Sequence, residues 1–330
     1  MKSKYYKITL FTLAVCMLFF PKCTKEDLTD CGVIVRFKYD KHVQGISFSD
    51  EIKSIDLYVF DENGAYIETR SSLPSDATVN GFLPETYQVV MRDRKPGTYT
   101  FIAWGNVKRE FFDMSTLNVG ASTFNTATLN YIRDERNERG PTLSLFHGSQ
   151  MSVNLESHTI GSKIITIDLM KYAKHVVVTI AGFPEGFDLD NFNCYIVSSN
   201  GNYRFNGSFG NPNPPITYNP TITVMQNGSV VEFDFYILRE DNDNLTNSKL
   251  VISYTGQDGT EIILRQESLV SMLRLLPKSG PNARNTGDLD IDHEFFIDVE
   301  IEIEDDGTNA TASIFIEYWD QTPQIPKPLG

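Results

Sequence analysis

Basic residues, histidine, cysteine and tryptophan are all scarce in this sequence. Its 330 residues hold 29 Lys and Arg against 43 Asp and Glu, for a formal net charge of −14. A nucleic-acid binder needs a basic face, and electrostatic docking onto anionic lipid uses clusters of Lys and Arg, so the overall composition argues against both. Five histidines and four cysteines, scattered along the chain, also argue against a multi-metal protein.

Motifs that bind nucleotides or metals are missing as well. The chain has no P-loop, no Gly-x-Gly-x-x-Gly and no His-Glu-x-x-His. The segment from Asn206 to Gly210 approaches a nucleophile elbow, but Asn206 stands where the first glycine belongs, so we interpret it as a hairpin loop. The segment from Asp241 to Thr246 begins like a calcium loop but lacks glycine at its sixth position; an adventitious surface calcium is the alternative. We therefore predict no enzyme activity, no metal and no cofactor.

The remaining ionisable residues that could be catalytic or bind a metal have simpler structural explanations. Glu300, Glu302 and Glu304 share one face of an alternating strand, where we expect them to face solvent and oppose edge-to-edge aggregation. His147 and His175 lie within predicted strands, so we expect packing or surface roles for them and not metal ligation.

No segment is long enough to cross a membrane as a helix. An apolar run of 13 residues, Ile8 to Phe20, follows Lys2, Lys4 and Lys7, whereas a bilayer span takes about 20 residues. A short apolar core behind a basic start is typical of a signal peptide, which we assign to residues 1–22. These residues contain four lysines and no acidic residue, so their removal would change the net charge from −14 to −18.

The cysteine after this run predicts lipid attachment. Cys23 stands three residues beyond Phe20, a position typical of the lipid cysteine of bacterial lipoproteins. In such proteins the thiol is acylated and this cysteine becomes the first residue of the mature chain. Each buried CH₂ of an acyl chain such as palmitate contributes about 0.8 kcal/mol to anchoring. Cys16 is the rival site, although cleavage there would leave Met17 to Phe20 in water. An ordinary secretory signal with an incidental cysteine is the other alternative.

The residues on either side of Cys23 bear on the cellular destination of the protein and on its processing. Lys25-Glu26-Asp27 resembles the lipoprotein export signal of Bacteroidetes, a lysine followed by two acids, which directs lipoproteins to the outer face of the outer membrane; a solvated linker is the alternative. Lys22 departs from the small residues that usually precede a lipid cysteine.

Two cysteines remain once the signal peptide and the lipid cysteine are set aside. Cys31 and Cys194 are far apart in sequence, which cannot establish disulfide geometry. One disulfide is an alternative, but we favour two buried free thiols.

Short strands dominate the rest of the chain. The segment from Val33 to Tyr39 alternates apolar and polar residues, and the segment from Phe295 to Ile303 does so more sharply. Asn63-Gly64 predicts a hairpin after the strand from Ile55 to Asp61, and Asn200-Gly201 also sits at a hairpin position. The other predicted strands are 65–69, 87–91, 98–104, 145–155 with Gly148 interrupting it, 163–169, 173–181, 192–199, 203–205, 230–238, 249–254, 261–266 and 310–319.

Helix is nearly absent from the pattern. Residues 267–276 predict one helix with Leu269, Met272, Leu273 and Leu276 on one face, and a helical turn is expected near residues 111–117. Short strands with Gly and Asn turns, and without βαβ alternation, predict an all-β protein of antiparallel sheets packed as sandwiches.

The chain length suits two domains. We predict a lipidated linker at residues 23–31, an N-terminal β-sandwich at 32–158 and a C-terminal β-sandwich at 159–330.

Four stretches together resemble the FimB-type fimbrial anchor subunits of Bacteroidetes, which are lipoproteins at the base of surface fimbriae. Their order and spacing carry the resemblance over most of residues 23–182. They are Cys23 to Tyr39, Ile55 to Gly64, Pro96 to Asn106, and Leu145 to Gly148 with the strand pair from Ile167 to Gly182.

The resemblance implies two tandem transthyretin-like sandwiches, lipid attachment at Cys23, and a non-catalytic role in tethering a fimbrium and terminating its assembly. Stalk subunits of such systems join by inserting a β-strand of one subunit into a groove of the next, so fimbrial stalk or accessory subunits are the expected partners. Met170-Lys171 departs from the arginine expected there. If the chain donates a strand, residues 309–319 are favoured over the proline-rich tail.

A glycan-binding surface lipoprotein is the alternative function. It would need an exposed aromatic platform, for which Trp104 and Trp319 are the only tryptophans.

Overall fold

The computed structural model describes residues 32–39, 47–92, 94–132, 144–156, 162–185, 187–225, 228–243, 246–255, 259–276, 288–303 and 310–315. This part of the chain is mostly β-strand, as predicted, and forms several sheets. Among the described residues, no helix has the length and apolar character that a membrane crossing requires.

The helices and strands follow in chain order. Within the described residues, the α-helices are α1 (Phe48–Glu51) and α2 (Leu269–Leu275). The strands are β1 (Gly32–Lys38), β2 (Ile55–Phe60), β3 (Tyr66–Ser71), β4 (Gln88–Arg92), β5 (Gly97–Gly105), β6 (Phe112–Met114), β7 (Thr128–Tyr131), β8 (Phe146–Leu155), β9 (Ser162–Asp168), β10 (Met170–Lys171), β11 (Ala173–Ala181), β12 (Phe192–Ser198), β13 (Asn202–Arg204), β14 (Ile216–Tyr218), β15 (Thr221–Met225), β16 (Val230–Leu238), β17 (Lys249–Thr255), β18 (Glu261–Ser268), β19 (Glu294–Ile303) and β20 (Ala310–Phe315).

Two sheets enclose the first core. Sheet I has the order β4-β1-β9, and sheet II has the order β10-β8-β5-β2-β3. The predicted alternation of β1 is confirmed, because Val33, Val35 and Phe37 are buried in this core. Strand β5 instead buries both of its faces from Thr100 onward, which explains its continuous apolar run.

Sheet III, with the order β13-β7-β6, covers the other face of sheet II. Side chains that point away from sheet I, among them Tyr58 and Trp104, pack against Leu129 and Tyr203 of sheet III. Strands β6 and β7 belong to the first half of the chain and β13 to the second. Sheet III therefore joins the two halves.

The second half of the chain forms its own sandwich. Sheet IV has the order β14-β12-β17-β18 and sheet V the order β15-β16-β11-β19-β20. Alternate residues of their strands meet in one core, which helix α2 completes through Leu269, Met272 and Leu273. The predicted helix face is confirmed, since these three side chains are buried.

Strand direction differs from the prediction at two places. Strand β1 pairs with β9 in parallel, and β11 pairs with β19 in parallel. The expectation of antiparallel sheets is wrong there, so sheets I and V are mixed. Alternation reports which face a residue occupies and carries no information on the direction of the partner strand.

Local predictions were wrong at three positions. Asn200-Gly201 does not close a hairpin, because β12 pairs with β14 and β17 while β13 pairs with β7. Residues 112–114 form β6 where a helical turn was expected. Gly148 lies inside a continuous β8, and a Cβ there would come within 2.5 Å of the Asp168 carbonyl oxygen. That glycine lets two chain segments approach closely.

The expected domain boundary at residues 158/159 precedes β9. Strand β9 pairs with β1 along its whole length, and Ile165 and Ile167 lie in the core between sheets I and II.

Candidate functional site: an open edge of the second sandwich

The residues predicted to carry the lipid and the export signal, Cys23, Lys25, Glu26 and Asp27, lie outside the described residues, as does Cys16. The described chain starts at Gly32, where β1 enters the centre of sheet I. Cys31 also lies outside, whereas Cys194 is a buried free thiol. Burial raises the pKa of the Cys194 thiol well above its usual value, so this residue is not an activated nucleophile.

Sheet IV is incomplete along one side of β12. Strand β14 pairs only with Ile196, Val197 and Ser198. Beyond Tyr218 the chain passes through Asn219-Pro220 into β15 of the opposite sheet. Within the described part of the chain, residues 193–195 of β12 therefore have a strand neighbour on the β17 side alone.

Strand β15 presents inward-facing apolar side chains opposite this gap. Ile222 pairs with Phe233, and Val224 pairs with Val231. Directly opposed residues of antiparallel strands share a face, and both partners on β16 are buried in the core. Ile222 and Val224 are nevertheless 52% and 53% exposed. Two core-facing side chains are thus uncovered where sheet IV, in the described part of the chain, has no strand above them.

The gap is located by a contact between the two sheets. The ring of Phe192, at the start of β12, lies 5.9 Å from the ring of Phe233. Since Phe233 is the cross-strand partner of Ile222, the free edge of β12 and the exposed part of β15 lie at the same end of the sandwich. We call this feature the open edge: residues 193–195 of β12 with Ile222 and Val224 of β15.

The segments around the open edge carry only negative charge. Residues 183–195 and 216–234 contain no Lys or Arg. They contain Glu185, Asp188, Asp190, Glu232 and Asp234. An extended segment that filled the open edge would be favoured electrostatically if it carried basic residues at its solvent-facing positions.

A buried polar cluster fixes the closed part of this edge. The Glu240 carboxylate is fully buried and accepts hydrogen bonds from Ser198 Oγ at 3.1 Å, from Thr246 Oγ1 at 2.5 Å and from Ser248 Oγ. Asn200 Nδ2 donates to its other oxygen at 2.9 Å. Burial raises the pKa of Glu240 to about 7, although the three hydroxyl donors oppose the rise. The cluster ties the end of β12 to the start of β17.

The strand favoured as a donor is already paired. Within the described residues, β20 forms a regular antiparallel pair with β19 and lies at the edge of sheet V. The predicted final hairpin is confirmed to that extent. Residues 316–319 and the proline-rich tail lie outside the described residues.

An aromatic junction between the two halves contains Trp104 and His147, which the sequence analysis considered for glycan binding and for metal ligation. Trp104 is fully buried, so it cannot belong to an exposed glycan platform; Trp319 lies outside the described residues. His147 Nε2 is 3.0 Å from the Phe205 carbonyl oxygen, and burial lowers the pKa of His147 to about 4. His147 is therefore a buried packing residue, one of the roles expected for it.

The other polar candidates have structural environments. His175 Nε2 lies 2.8 Å from Asp234 Oδ1, and its ring stacks on Tyr236. Ser208 lies in a tight turn in which Asn206 Oδ1 accepts from its backbone nitrogen, as the hairpin interpretation predicted. Glu300 and Glu302 are exposed, as expected, and Glu304 lies outside the described residues. Within the described ranges, no three metal-ligating side chains converge.

Sequence reasoning missed the open edge itself. Strands β6, β7, β14 and β15 were not predicted, and neither Ile222 nor Val224 was singled out. Strand β15 could have been predicted from the uncharged, β-branched run from Thr221 to Val224, which directly follows Asn219-Pro220.

The fold and the site define a mostly β-strand protein of several sheets, one of which stops short at the open edge. Comparison with known proteins then places the chain more narrowly. The model of the Mfa2 family, the fimbrillin-A associated anchor proteins Mfa1 and Mfa2, matches residues 28–322, and the chain belongs to this family. The family is one of structural, non-enzymatic fimbrial anchor proteins.

Individual relatives agree with this assignment. The chain is 24% identical over 279 residues to the minor fimbrium anchoring subunit Mfa2 of Porphyromonas gingivalis, covering 82% of this chain and 81% of that one. The solved structure of Mfa2 from that organism superposes with a TM-score of 0.71 at 19% identity, covering 88% and 98% of the two chains. A Bacteroides ovatus protein provisionally classed as an adhesin gives a TM-score of 0.72 at 19% identity, covering 90% and 96%. The resemblance predicted from sequence is confirmed.

Proposed function

We propose that this protein is a lipid-anchored fimbrial subunit that holds the base of a surface fimbrium at the outer membrane, with its body on the outer side, and terminates assembly through a β-strand contact. Membership of the fimbrial anchor family supports the fimbrial part. The strand contact rests on one observation, the open edge, where Ile222 and Val224 are half exposed and residues 193–195 of β12 have no described strand on one side.

The proposed partner is a stalk or accessory subunit that supplies an extended segment. Such a segment would form main-chain hydrogen bonds with residues 193–195 and place alternate apolar side chains over Ile222 and Val224. Covering the exposed halves of these two side chains would contribute about 2–3 kcal/mol. A contact of this kind would join the chain to a stalk at one end, as a terminating subunit requires.

The tandem transthyretin-like organisation is part of the proposal. The sequence divides the chain at residues 158/159, but strand pairing supports a crossing slightly later. Strand β9 pairs with β1 of the first sandwich, whereas β11 pairs with β16 and β19 of the second. Because β10 still pairs with β8 of the first sandwich, we propose that the crossing falls between Lys171 and Ala173.

Replacement of Ile222 and Val224 by lysine tests the strand contact. The charges would disfavour burial under a donated strand, so we expect co-purification of fimbrial stalk protein from the native host to fall by about tenfold or more. The double lysine variant of Ile262 and Ile263, exposed residues of β18 at the other edge of sheet IV, is the matched control. Undiminished co-purification by the Ile222/Val224 variant would contradict a contact at the open edge.

Labelled palmitate tests the anchor. We expect incorporation into the wild type and into Cys16→Ala and Cys31→Ala variants, and loss of label in Cys23→Ala. Surface protease should digest the body of the acylated protein on intact cells. Label retained in Cys23→Ala would refute the attachment site, and an unlabelled protein in the medium would refute anchoring.

A further inference from the structure

The outer face of sheet I carries an apolar row across all three strands. Ile34 of β1 pairs with Val90 of β4 on one side and with Ile164 of β9 on the other. Val90 is 46% exposed and Ile164 is 49% exposed. The neighbouring residues Val33 and Val35 point into the core, so this row faces away from it.

Basic residues flank the row on the same face. Arg36 and Lys38 follow Ile34 along β1, and Arg92 stands beside Gly32 at the other end. All three side chains are exposed, and Arg36 Nε donates to Gln88 Oε1 at 3.4 Å. Asp168, beside Lys38, is the one acidic residue among the paired positions of this face. A face with three cations and one anion stands out in a chain whose net charge is −14.

The position of this face relative to the chain start indicates what covers it. Gly32 begins β1, the central strand of sheet I, and it is nine residues beyond Cys23. Nine residues span at most about 30 Å when fully extended. A lipid on Cys23 would therefore keep the Gly32 end of this face within about 30 Å of the membrane surface.

We propose that the outer face of sheet I lies against the anionic headgroup surface of the membrane that holds the lipid, an inference that rests on the lipid attachment in the proposed function. Ile34, Val90 and Ile164 enter the headgroup region, and Arg36 and Arg92 bind lipid phosphates. The acidic chain as a whole disfavours such docking, but the tether raises the local concentration so that a weak contact suffices. The contact would orient the body so that the second sandwich faces outward.

The first experiment measures orientation in the acylated full-length protein. It is reconstituted into phosphatidylcholine vesicles that contain phosphatidylglycerol and nitroxide-labelled lipid, in a Cys31→Ser background. A fluorophore on Val90→Cys should be quenched by the nitroxide lipid, and one on Ile262→Cys in sheet IV should not. Equal quenching at the two positions would overturn the proposal while leaving the lipid anchor intact.

The second experiment measures vesicle binding by the protein without its lipid. Unacylated full-length Cys23→Ala protein should co-sediment weakly with the phosphatidylglycerol vesicles and release as salt rises. Because each basic residue near an anionic surface contributes about 1 kcal/mol, the added pair Arg36→Gln and Arg92→Gln should lower the partition coefficient by about 30-fold. Arg265→Gln, an exposed arginine of sheet IV, should leave it unchanged. Equal loss in both variants, or dimer formation through this face in place of vesicle binding, would overturn the proposal.

Discussion

At the scale of single residues, Glu240 shows how a buried carboxyl group can connect two segments of the fold. Its carboxyl group is buried and is held by hydroxyl donors from two segments, Ser198 at the end of β12 and Thr246 and Ser248 directly before β17. Burial raises its pKa from 4.5 to about 7. The folded protein therefore binds a proton at pH values where the unfolded chain has released it.

The sign of the resulting pH dependence follows from linkage. The stabilisation contributed by the protonated carboxyl is fully present below the unfolded pKa of 4.5 and is lost as pH rises towards about 7. The slope can reach about 1.4 kcal/mol per pH unit within that window. We predict that a Glu240→Gln variant, in which the hydroxyls can rotate to accept from the amide, loses this slope.

The measurement is urea unfolding of wild type and Glu240→Gln from pH 5 to pH 8, compared as a difference. The difference matters because burial lowers the pKa of Lys174 to about 7, which makes stability increase as pH rises through that region. Lys174 is unchanged in both proteins, so its contribution cancels. Parallel pH profiles for the two proteins would show that Glu240 stays ionised in the fold.

At the scale of secondary structure, helix α2 shows that the burial of a side chain, and not its residue type, sets its contribution to stability. Leu273 and Leu275 are two positions apart, yet Leu273 is 1% exposed and Leu275 is 57% exposed. We predict that Leu273→Ala lowers the free energy of unfolding by about 2–5 kcal/mol, since it leaves a cavity in the second core. Leu275→Ala should change it by about 0.5 kcal/mol or less. Denaturant unfolding of the pair is the test, and equal losses would mean that α2 does not complete the core as described.

The strands illustrate a limit of local patterns. Strand β19 alternates because one face packs on the core and the other meets solvent. Strand β5 does not alternate, because sheet II is covered by sheet I on one side and by sheet III on the other. The same propensity for β-structure thus produces different sequence patterns according to the number of covered faces.

At the scale of the whole molecule, the two halves are joined by an aromatic and charged junction. Arg239 Nε donates to Asp290 Oδ1 at 2.6 Å, and its guanidinium lies 5.2 Å from the centre of the Tyr172 ring. Tyr172 in turn packs against Trp104 of the first half and Tyr203 of the second. This arrangement should couple unfolding of the two sandwiches.

We predict that Arg239→Ala lowers the free energy of unfolding by about 2–3 kcal/mol, between the values for exposed and buried ion pairs, because the pair is only partly buried. Calorimetry should also show one transition broadening or splitting into two, as the halves uncouple. Arg265→Ala is the control: its pair with Glu267 is largely exposed, so a loss of about 1 kcal/mol at most is expected. A single sharp transition in Arg239→Ala would show that the sandwiches are coupled by other contacts.

The sequence by itself determined the mostly β composition, the alternating strands β1 and β19, the buried face of α2 and the family resemblance. These properties depend on residues close together in the chain, where a period of two or of 3.6 records which side is covered. Only the tertiary structure decided that β9 runs parallel to β1 and β19 parallel to β11, that β13 crosses into sheet III, and that Ile222 and Val224 remain uncovered. Those features depend on which distant strand lies alongside another and where a sheet stops, and local hydrophobic periodicity records neither.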